Sequence, residues 1–432
     1  MILINSACEA PEVAAVPDST IHTAAWLVNP DTPPVADGAI LVRNGLIAAT
    51  GTLAELKSRY SAAVIEHHDC AILPGFVNAH THLELTHFPS WRLRTHVDYN
   101  PRRFSDWVIQ LIKITRGLHE DDFRASLGEG VRKCIESGTT VVGDIISRYD
   151  LLASYEVPPV RGRLFFEALG HEPSRFQERL EQALSAIKGM SGEHLMSGLS
   201  PHAPYTVGEA NLPVIRDAAL SRNLPLAIHL SESQAESAFI FDTSGPLATE
   251  LYPFVGWERY LMPPRHCSST GLLDRHGLLT PATLAVHCVH INLADAQILK
   301  QRGVTVCLCP RSNDRLDVGR APLALFRKLA IPLALGTDSL ASNDSLSLWD
   351  EMRFALNQFS DVLSPADVFR MATSGGAAAL GLSTSVGSLE VGKRADFQVV
   401  SHCGTDEKGL LERVIGQGKI VDVCLNGLSG GA

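Results

Sequence analysis

The sequence predicts an α/β fold in two parts, and two observations lead to this prediction. Eight apolar, strand-like runs alternate with amphipathic, helix-like segments between residues 71 and 384. This alternation is typical of repeated β/α units and predicts a (β/α)8 TIM barrel. The doubly wound open sheet is the weaker alternative, because no glycine-rich loop follows the first run. β-rich segments near both chain termini predict, in addition, a small β-sandwich domain.

The two terminal segments are expected to pair with each other. Ser19–Val28 near the start and residues 386–400 near the end are both β-rich. Two separate β-extensions would leave many strand edges unpaired. We therefore expect residues 1–70 and 385–432 to form one composite β-sandwich domain, and residues 71–384 to form a metal-dependent catalytic barrel.

The eight apolar runs have the lengths of barrel strands. Amphipathic segments such as Phe123–Ser137 and Ser174–Lys188 stand between them and predict the outer helices. In chain order the runs are Ile72–Val77, Thr139–Ile146, Gly162–Leu169, Leu195–Ser200, Leu224–His229, Thr283–His287, Val304–Cys309 and Ile331–Gly336.

The composition narrows the class of function. The chain has 432 residues, a formal net charge of −10 and no basic run, so we expect no nucleic-acid partner, because phosphate contacts dominate that affinity. No apolar stretch approaches the roughly 18 residues of a membrane span, and the first residues lack the features of a signal peptide. Nine irregularly placed cysteines indicate a reducing compartment, so the expected location is cytoplasmic. A homodimer is the base-rate expectation.

Polar side chains that bind metals follow five of the predicted strands. His80 and His82, two residues apart on an extended chain, project from the same face at the end of the first strand. A pair of nearby histidines is by itself weak evidence. The later strands, however, lead into PHAPY (201–205), HLSE (229–232), HCVH (287–290) and GTDS (336–339). Because barrel chemistry gathers at the carboxyl ends of the strands, these groups are expected to meet at one site.

The predicted ligands are His80, His82, His229 and Asp338. Three neutral imidazoles and one carboxylate suit a single Zn²⁺, with Fe²⁺ as the alternative, and leave a position for water. Such an ion lowers the pKa of a bound water toward neutrality.

A hydrolase also needs proton carriers. Glu232, three residues beyond His229, is the candidate that passes a proton to the leaving nitrogen. Asp338 is the candidate that accepts the proton of the water. Either His287 or His290 could hold the attacking water or the oxyanion, and His287 is the preferred candidate.

These motifs resemble the amidohydrolase superfamily, in its branch of mononuclear deaminases and chlorohydrolases. The resemblance covers nearly the whole chain and rests on the HxH of the first strand, the HxxE after the fifth, HCVH, GTDSLASN (336–343) and GSLEVGKRAD (387–396). It implies attack of metal-activated hydroxide on an aromatic ring carbon that carries an amino group, with release of ammonia. The partner is then a small-molecule substrate.

The resemblance also suggests substrate contacts. His202 occupies the place that usually contacts substrate, and Trp107 matches a tryptophan of the methylthioadenosine and S-adenosylhomocysteine deaminases. Those enzymes carry a ribose-binding glutamate about nine residues after that tryptophan, where this chain has Arg116. This departure disfavours those two substrates.

Two stretches, HLELTH (82–87) and CPRSNDRL (309–316), resemble instead the aminodeoxyfutalosine deaminases of menaquinone biosynthesis. Arg311 could bind the benzoate carboxylate of that substrate, or could pair with a carboxylate of the protein. Glu84 could bind substrate or orient a ligand histidine. We expect a deaminase of an adenine nucleoside derivative, with 6-amino-6-deoxyfutalosine preferred. The alternatives are a deaminase of S-adenosylhomocysteine, methylthioadenosine or adenosine, an amidohydrolase of another ring (guanine, cytosine, triazine or a formimino amino acid), and a non-catalytic binding module.

Overall fold

The structure is a computed structural model that describes residues 19–155, 160–190 and 194–429. The expectation about the first residues of the chain therefore lies outside the described part. The strands are β1 Ser19–Leu27, β2 Val35–Ala36, β3 Gly38–Arg43, β4 Leu46–Thr52, β5 Ala63–Pro74, β6 Phe76–Thr81, β7 Thr139–Ile146, β8 Arg161–Glu167, β9 Leu195–Ser200, β10 Leu226–Leu230, β11 Thr283–His287, β12 Thr305–Leu308, β13 Leu333–Leu335, β14 Phe397–Ser401, β15 Ile420–Leu425 and β16 Leu428–Ser429. The helices are α1 Leu53–Arg59, α2 Phe88–Arg94, α3 Phe104–Arg116, α4 Glu120–Glu136, α5 Pro173–Gly189, α6 Leu212–Ser221, α7 Gln234–Asp242, α8 Tyr252–Val255, α9 Ser269–Arg275, α10 Leu293–Arg302, α11 Pro310–Arg315, α12 Leu323–Lys328, α13 Leu348–Gln358, α14 Pro365–Met371, α15 Ser374–Ala379 and α16 Leu410–Gln417.

Strands β6 to β13 form the predicted (β/α)8 barrel. Each strand pairs with the next one along the chain, and every assigned register between them is parallel. A parallel bridge between Thr81 and Asp338 joins the last strand to the first. Helices cover the outside, as the alternating pattern predicts. All the carboxyl ends of the strands therefore open at one mouth.

The alternation of side chains along each strand separates two apolar layers. On β7, Val141 and Ile145 point into the barrel, where they join a buried cluster with Phe165 and Val286. Val142 and its outward-facing equivalents pack against the helices in a second, larger cluster. The barrel is thus a filled core, and its mouth is a fixed platform for the polar side chains beyond it.

The terminal segments build an additional β-domain, as expected. Its hydrogen-bonded order is β16-β15-β14-β5-β1-β3-β4, with β2 paired to β1. Strand β5 is central, because β1 pairs with it in parallel and β14 pairs with it antiparallel. Segments from both terminal regions, as far as the structure describes them, are therefore strands of one sheet.

The apolar run that begins at Ile72 does not form a single strand. Ile72–Pro74 end β5 of the terminal sheet, and the barrel strand begins only at Phe76. Strand β5 also crosses the expected domain boundary at residue 70. The change of sheet occurs at Gly75, where a Cβ atom would lie only 2.2 Å from the Oγ1 atom of Thr140. Strand β6 contains His80, and His82 lies just beyond its end.

The described residues bear on two expectations from the sequence, the absence of a membrane span and the state of the cysteines. None of the helices among residues 19–155, 160–190 and 194–429 is long and apolar enough to cross a membrane. The cysteines in this part of the chain are free thiols.

Candidate metal centre and active site

Three of the predicted ligand histidines converge at the mouth of the barrel. His80 lies in β6, His82 directly follows that strand, and His229 lies in β10. One ring nitrogen from each lies within 4.8 Å of the other two. The Nε2 atoms of His82 and His229 are 3.2 Å apart. Side chains from two well-separated strands thus form one cluster.

Asp338 completes the cluster. It follows β13, and its backbone N–H donates to the carbonyl oxygen of His80 at 3.1 Å. Its Oδ1 atom lies 3.6 Å from the Nε2 atoms of both His80 and His82. The residue has a φ of 57°, in the left-handed region that non-glycine residues rarely adopt.

The donor set fits a divalent metal ion. Both ring nitrogens of His80 are buried and have no hydrogen-bond partner among the described residues. The Nδ1 atom of His229 lies 3.0 Å from the carbonyl oxygen of His202, which leaves Nε2 for the cluster. Burial, followed by the neighbouring His80, lowers the pKa of His82 to about 3. Neutral imidazoles with free Nε2 atoms and a carboxylate are the ligands that zinc and ferrous sites use.

Glu232 and His287 face each other beside this cluster. The Oε1 atom of Glu232 lies 3.7 Å from the Nε2 atom of His287, and both side chains are buried. Burial, and then the charges of Asp338 and Glu236, raise the pKa of Glu232 well above its usual value. Burial lowers the pKa of His287 to about 4. Burial therefore favours the protonated form of Glu232 and the neutral form of His287.

The structure brings His287, and not His290, into the cluster. The ring of His287 lies 5.5 Å from that of His229, centroid to centroid. The Nε2 atom of His290 instead lies 2.8 Å from the carbonyl oxygen of Val318. Strand β11 ends at His287, and His290 lies in the irregular segment between β11 and α10.

Two residues of the site were not anticipated from the sequence. The buried carboxylate of Glu236 accepts hydrogen bonds from the backbone N–H groups of Ser231 (2.9 Å) and Glu232 (3.0 Å). The Oδ1 atom of Asn313 lies 2.9 Å from the Nδ1 atom of His287. With that oxygen as acceptor, His287 carries its proton on Nδ1 and presents the lone pair of Nε2 to the site. In the sequence, the only indication of Glu236 is its position in a polar stretch, four residues after Glu232.

The predicted substrate contacts His202 and Trp107 both lie at the mouth. The ring of His202 stands 4.9 Å from that of His229, and its Nδ1 atom is 2.8 Å from the hydroxyl oxygen of Thr206. The indole N–H of Trp107, on α3, donates to the carbonyl oxygen of Ala341 at 3.0 Å. That contact holds Trp107 against the loop that follows Asp338.

Glu84 and Arg311 are engaged by the protein itself. The carboxylate of Glu84 accepts hydrogen bonds from the backbone and hydroxyl of Ser147 and from the backbone of Arg148. Burial raises the pKa of Glu84 to about 7. The guanidinium of Arg311 pairs with Asp344, and its Nε atom lies 3.7 Å from the Oε1 atom of Glu351. These contacts agree with one of the two alternatives for Arg311, which is pairing with a carboxylate of the protein.

The fold is a (β/α)8 barrel with a histidine cluster suited to a metal ion at its mouth, and comparison with known proteins gives the family. Residues 71–427 match the model of the Amidohydrolase family. Residues 38–60 match the imidazolonepropionase-like composite domain of bacteria. The chain belongs to the amidohydrolase family, so the expected class of enzyme, a hydrolase of carbon–nitrogen bonds, is confirmed.

Individual relatives carry the names of deaminases. A 5-methylthioadenosine/S-adenosylhomocysteine deaminase of Syntrophobacter fumaroxidans is 32% identical, over 86% of this chain and 82% of its own length. An aminodeoxyfutalosine deaminase of Deinococcus radiodurans is 29% identical, over 80% of this chain and 81% of its own length.

A zinc-bound adenosine deaminase from Xanthomonas campestris superposes with a TM-score of 0.78 at 26% identity, covering 95% of this chain and 92% of its own. An aminofutalosine deaminase of Helicobacter pylori, with a TM-score of 0.81, 21% identity and 95% and 99% coverage, shares the fold.

Proposed function

We propose that the protein is a metal-dependent hydrolytic deaminase of an adenine nucleoside derivative. The observation that carries this proposal is the convergence of His80, His82, His229 and Asp338 beside the buried pair Glu232 and His287. A binding module has no need of a protonated carboxyl group and a neutral imidazole held 3.7 Å apart. Zn²⁺ is the proposed ion, and the zinc-bound relative supports this choice.

The residues divide the chemistry among themselves. A bound divalent ion supplies a water molecule whose pKa lies near neutrality. Asp338 accepts the proton of the attacking water. The carboxyl group of Glu232, kept protonated by burial, donates its proton to the leaving nitrogen, which departs from the purine C6 as ammonia. The Nε2 atom of His287 accepts a hydrogen bond from the water and holds it in place.

For the particular substrate we propose 6-amino-6-deoxyfutalosine, which assigns the enzyme to menaquinone biosynthesis. Support comes from the HLELTH and CPRSNDRL stretches and from the Deinococcus relative. Arg116, which replaces the expected ribose-binding glutamate, stacks over the ring of Phe254 at 5.2 Å from the centroid. It is therefore turned toward a neighbouring helix. The relatives that are 32% identical keep S-adenosylhomocysteine and methylthioadenosine as the second candidates.

Ammonia release from the purified, zinc-loaded enzyme tests this proposal. Aminodeoxyfutalosine, adenosine, methylthioadenosine, S-adenosylhomocysteine and guanine are compared by kcat/KM. We expect the highest value for aminodeoxyfutalosine. A preference for the thioether nucleosides would transfer the assignment to the second candidates, and activity on guanine alone would exclude an adenine nucleoside.

The Arg311→Met variant tests the proposed contact with the substrate carboxylate. We expect a higher KM for aminodeoxyfutalosine and little change for adenosine, which has no carboxylate. Because Arg311 already pairs with Asp344 and lies near Glu351, an equal loss on both substrates would assign it a purely structural role.

A further inference from the structure

The two carboxylate oxygens of Asp338 have different surroundings. Oδ1 faces the Nε2 atoms of His80 and His82 at 3.6 Å. Oδ2 accepts one hydrogen bond from the Oγ atom of Ser312 at 2.7 Å and another from the Oγ atom of Ser342 at 2.6 Å. Both serines are fully buried, so water does not compete for these contacts.

The two serines reach Asp338 from different parts of the chain. Ser312 lies on α11, directly after β12, and Ser342 lies in the loop after β13. A hydroxyl group has only one proton to donate. The Oγ atom of Ser342 also lies 3.3 Å from the carbonyl oxygen of Ser339. The bond to the carboxylate is shorter and charge-assisted, so it takes the proton.

A single buried glutamate, Glu351, contacts a neighbour of each serine. Glu351 of α13 accepts a hydrogen bond from the backbone N–H of Arg311 (3.3 Å), the residue before Ser312. It also accepts one from the Nδ2 atom of Asn343 (2.7 Å), the residue after Ser342. Glu351 therefore connects helix α11 to the loop after β13, the two segments from which the hydroxyls reach Asp338.

We propose that Ser312 and Ser342 are positioning residues that hold Asp338 as a ligand through one oxygen. Their hydroxyls occupy Oδ2, which keeps the carboxylate from rotating and leaves Oδ1 alone for the ion. Without these donors, Oδ2 becomes a buried acceptor with no partner, and the carboxylate loses the contacts that keep Oδ1 directed at the histidine cluster. This inference rests on the metal-dependent part of the proposed function, not on the substrate.

The test compares the Ser312→Ala, Ser342→Ala and double-alanine variants as full-length proteins. The metal dissociation constant is measured by competition with a chelator. The absorption spectrum of the Co²⁺-substituted protein reports ligand number and geometry. We expect about 10-fold weaker metal binding for each single variant, about 100-fold weaker binding for the double variant, and a changed Co²⁺ spectrum.

Two matched sets of variants separate positioning from general damage. Ser312→Thr and Ser342→Thr keep the hydroxyl and should restore the metal affinity and the spectrum. Ser345→Ala, in the same loop, removes a hydroxyl that donates to Asp350 and should leave both unchanged. If the double-alanine protein does not fold, the single variants and their threonine counterparts decide.

Wild-type metal affinity and Co²⁺ spectrum in folded alanine variants would overturn the inference. These measurements need no substrate, so they are independent of the ammonia assay. The alanine variants could bind metal more weakly while the wild-type enzyme deaminates no nucleoside. That result would leave the role of the serines intact and remove the proposed function.

Discussion

Glu232 and His287 stand 3.7 Å apart, and burial moves their pKa values in opposite directions. Burial favours the protonated carboxyl group because the charged form loses its hydration, and it favours the neutral imidazole for the same reason. One environment therefore prepares a proton donor and a hydrogen-bond acceptor side by side. This opposition of pKa values is a recurrent feature of acid–base catalysis.

The Glu232→Gln variant should lose at least about 100-fold in kcat, because the amide cannot donate and regain a proton. Its metal content should equal that of the wild type, since Glu232 is not among the predicted ligands. Steady-state kinetics and metal analysis measure the two effects. The matched control is Glu258→Gln at an exposed position, and retained turnover in Glu232→Gln would remove the assigned role.

His287 and His290 provide an internal comparison. His287→Ala should lower kcat by about 100-fold or more, because the proposed water position loses its acceptor. His290→Ala should stay within about twofold of wild type at the resolution of such assays, because its Nε2 atom contacts the carbonyl oxygen of Val318 outside the site. The reverse order in kcat would show that His290 holds the water.

At the scale of elements, the ends of the strands are conformationally strained. Five residues at or just beyond barrel strands have left-handed backbone angles: His202, Ser231, His287, Cys288 and Asp338. Such conformations cost on the order of 1–3 kcal/mol each and persist only where the surroundings impose them. The carboxylate of Glu236 imposes one of them, because it binds the N–H groups of Ser231 and Glu232.

Glu351 connects helix α11, which follows β12, to the loop after β13. Burial raises its pKa from 4.5 to about 8. Between these two pH values the folded protein holds a proton on this residue that the unfolded chain has released. Stability must therefore fall as the pH rises through this window. The ionised side chain of Glu351 would lose its hydration in the folded protein. Neutral to acidic pH therefore favours the folded state.

The Glu351→Gln variant should show a flatter dependence of Tm on pH between pH 5 and 8, because the amide does not titrate. The wild type should lose on the order of a few kcal/mol over this range, since each pKa unit corresponds to about 1.4 kcal/mol. Thermal unfolding at several pH values measures the difference. Glu66→Gln, at an exposed glutamate, is the control, and parallel Tm curves for wild type and Glu351→Gln would contradict the prediction.

At the scale of the whole molecule, a buried ion pair joins the barrel to the β-domain. Arg161 begins β8, and its Nε atom donates to the Oδ2 atom of Asp396 at 2.8 Å. A second nitrogen of the same guanidinium donates to the Oδ1 atom of Asn426 at 2.7 Å. The side chain of Asp396 is only 2% exposed, and Arg161 is the cation paired with it.

Arg161→Met should therefore destabilise the protein by about 3 kcal/mol or more, because an unpaired buried carboxylate remains. Arg302→Met breaks an exposed pair with Asp274 and should cost less than about 1 kcal/mol. Chemical denaturation of both variants measures the contrast. Equal and small effects would show that the Arg161–Asp396 pair contributes little to the stability of the protein.

The strand pattern and the grouping of His80, His82 and His229 could be predicted from the sequence because both depend on local periodicity. Apolar runs alternating with amphipathic segments define the barrel. For every predicted strand after the first, both ends lie within two residues of the ends of an observed strand. The first differs, because the apolar run from Ile72 carries no sign that the chain changes sheets at Gly75. Apolar residues suit both sheets equally well.

The sequence alone therefore implied the barrel, the convergence of His80, His82, His229 and Asp338, and the class of hydrolase. Only the folded chain shows that Arg311 lies against Asp344 and Glu351, that His287 faces Glu232, and which donors surround Asp338. The reason is physical. The pattern of buried residues follows from the local order of apolar and polar residues in the sequence. A hydrogen bond instead requires a donor–acceptor distance set to a few tenths of an ångström, between residues that only folding brings together.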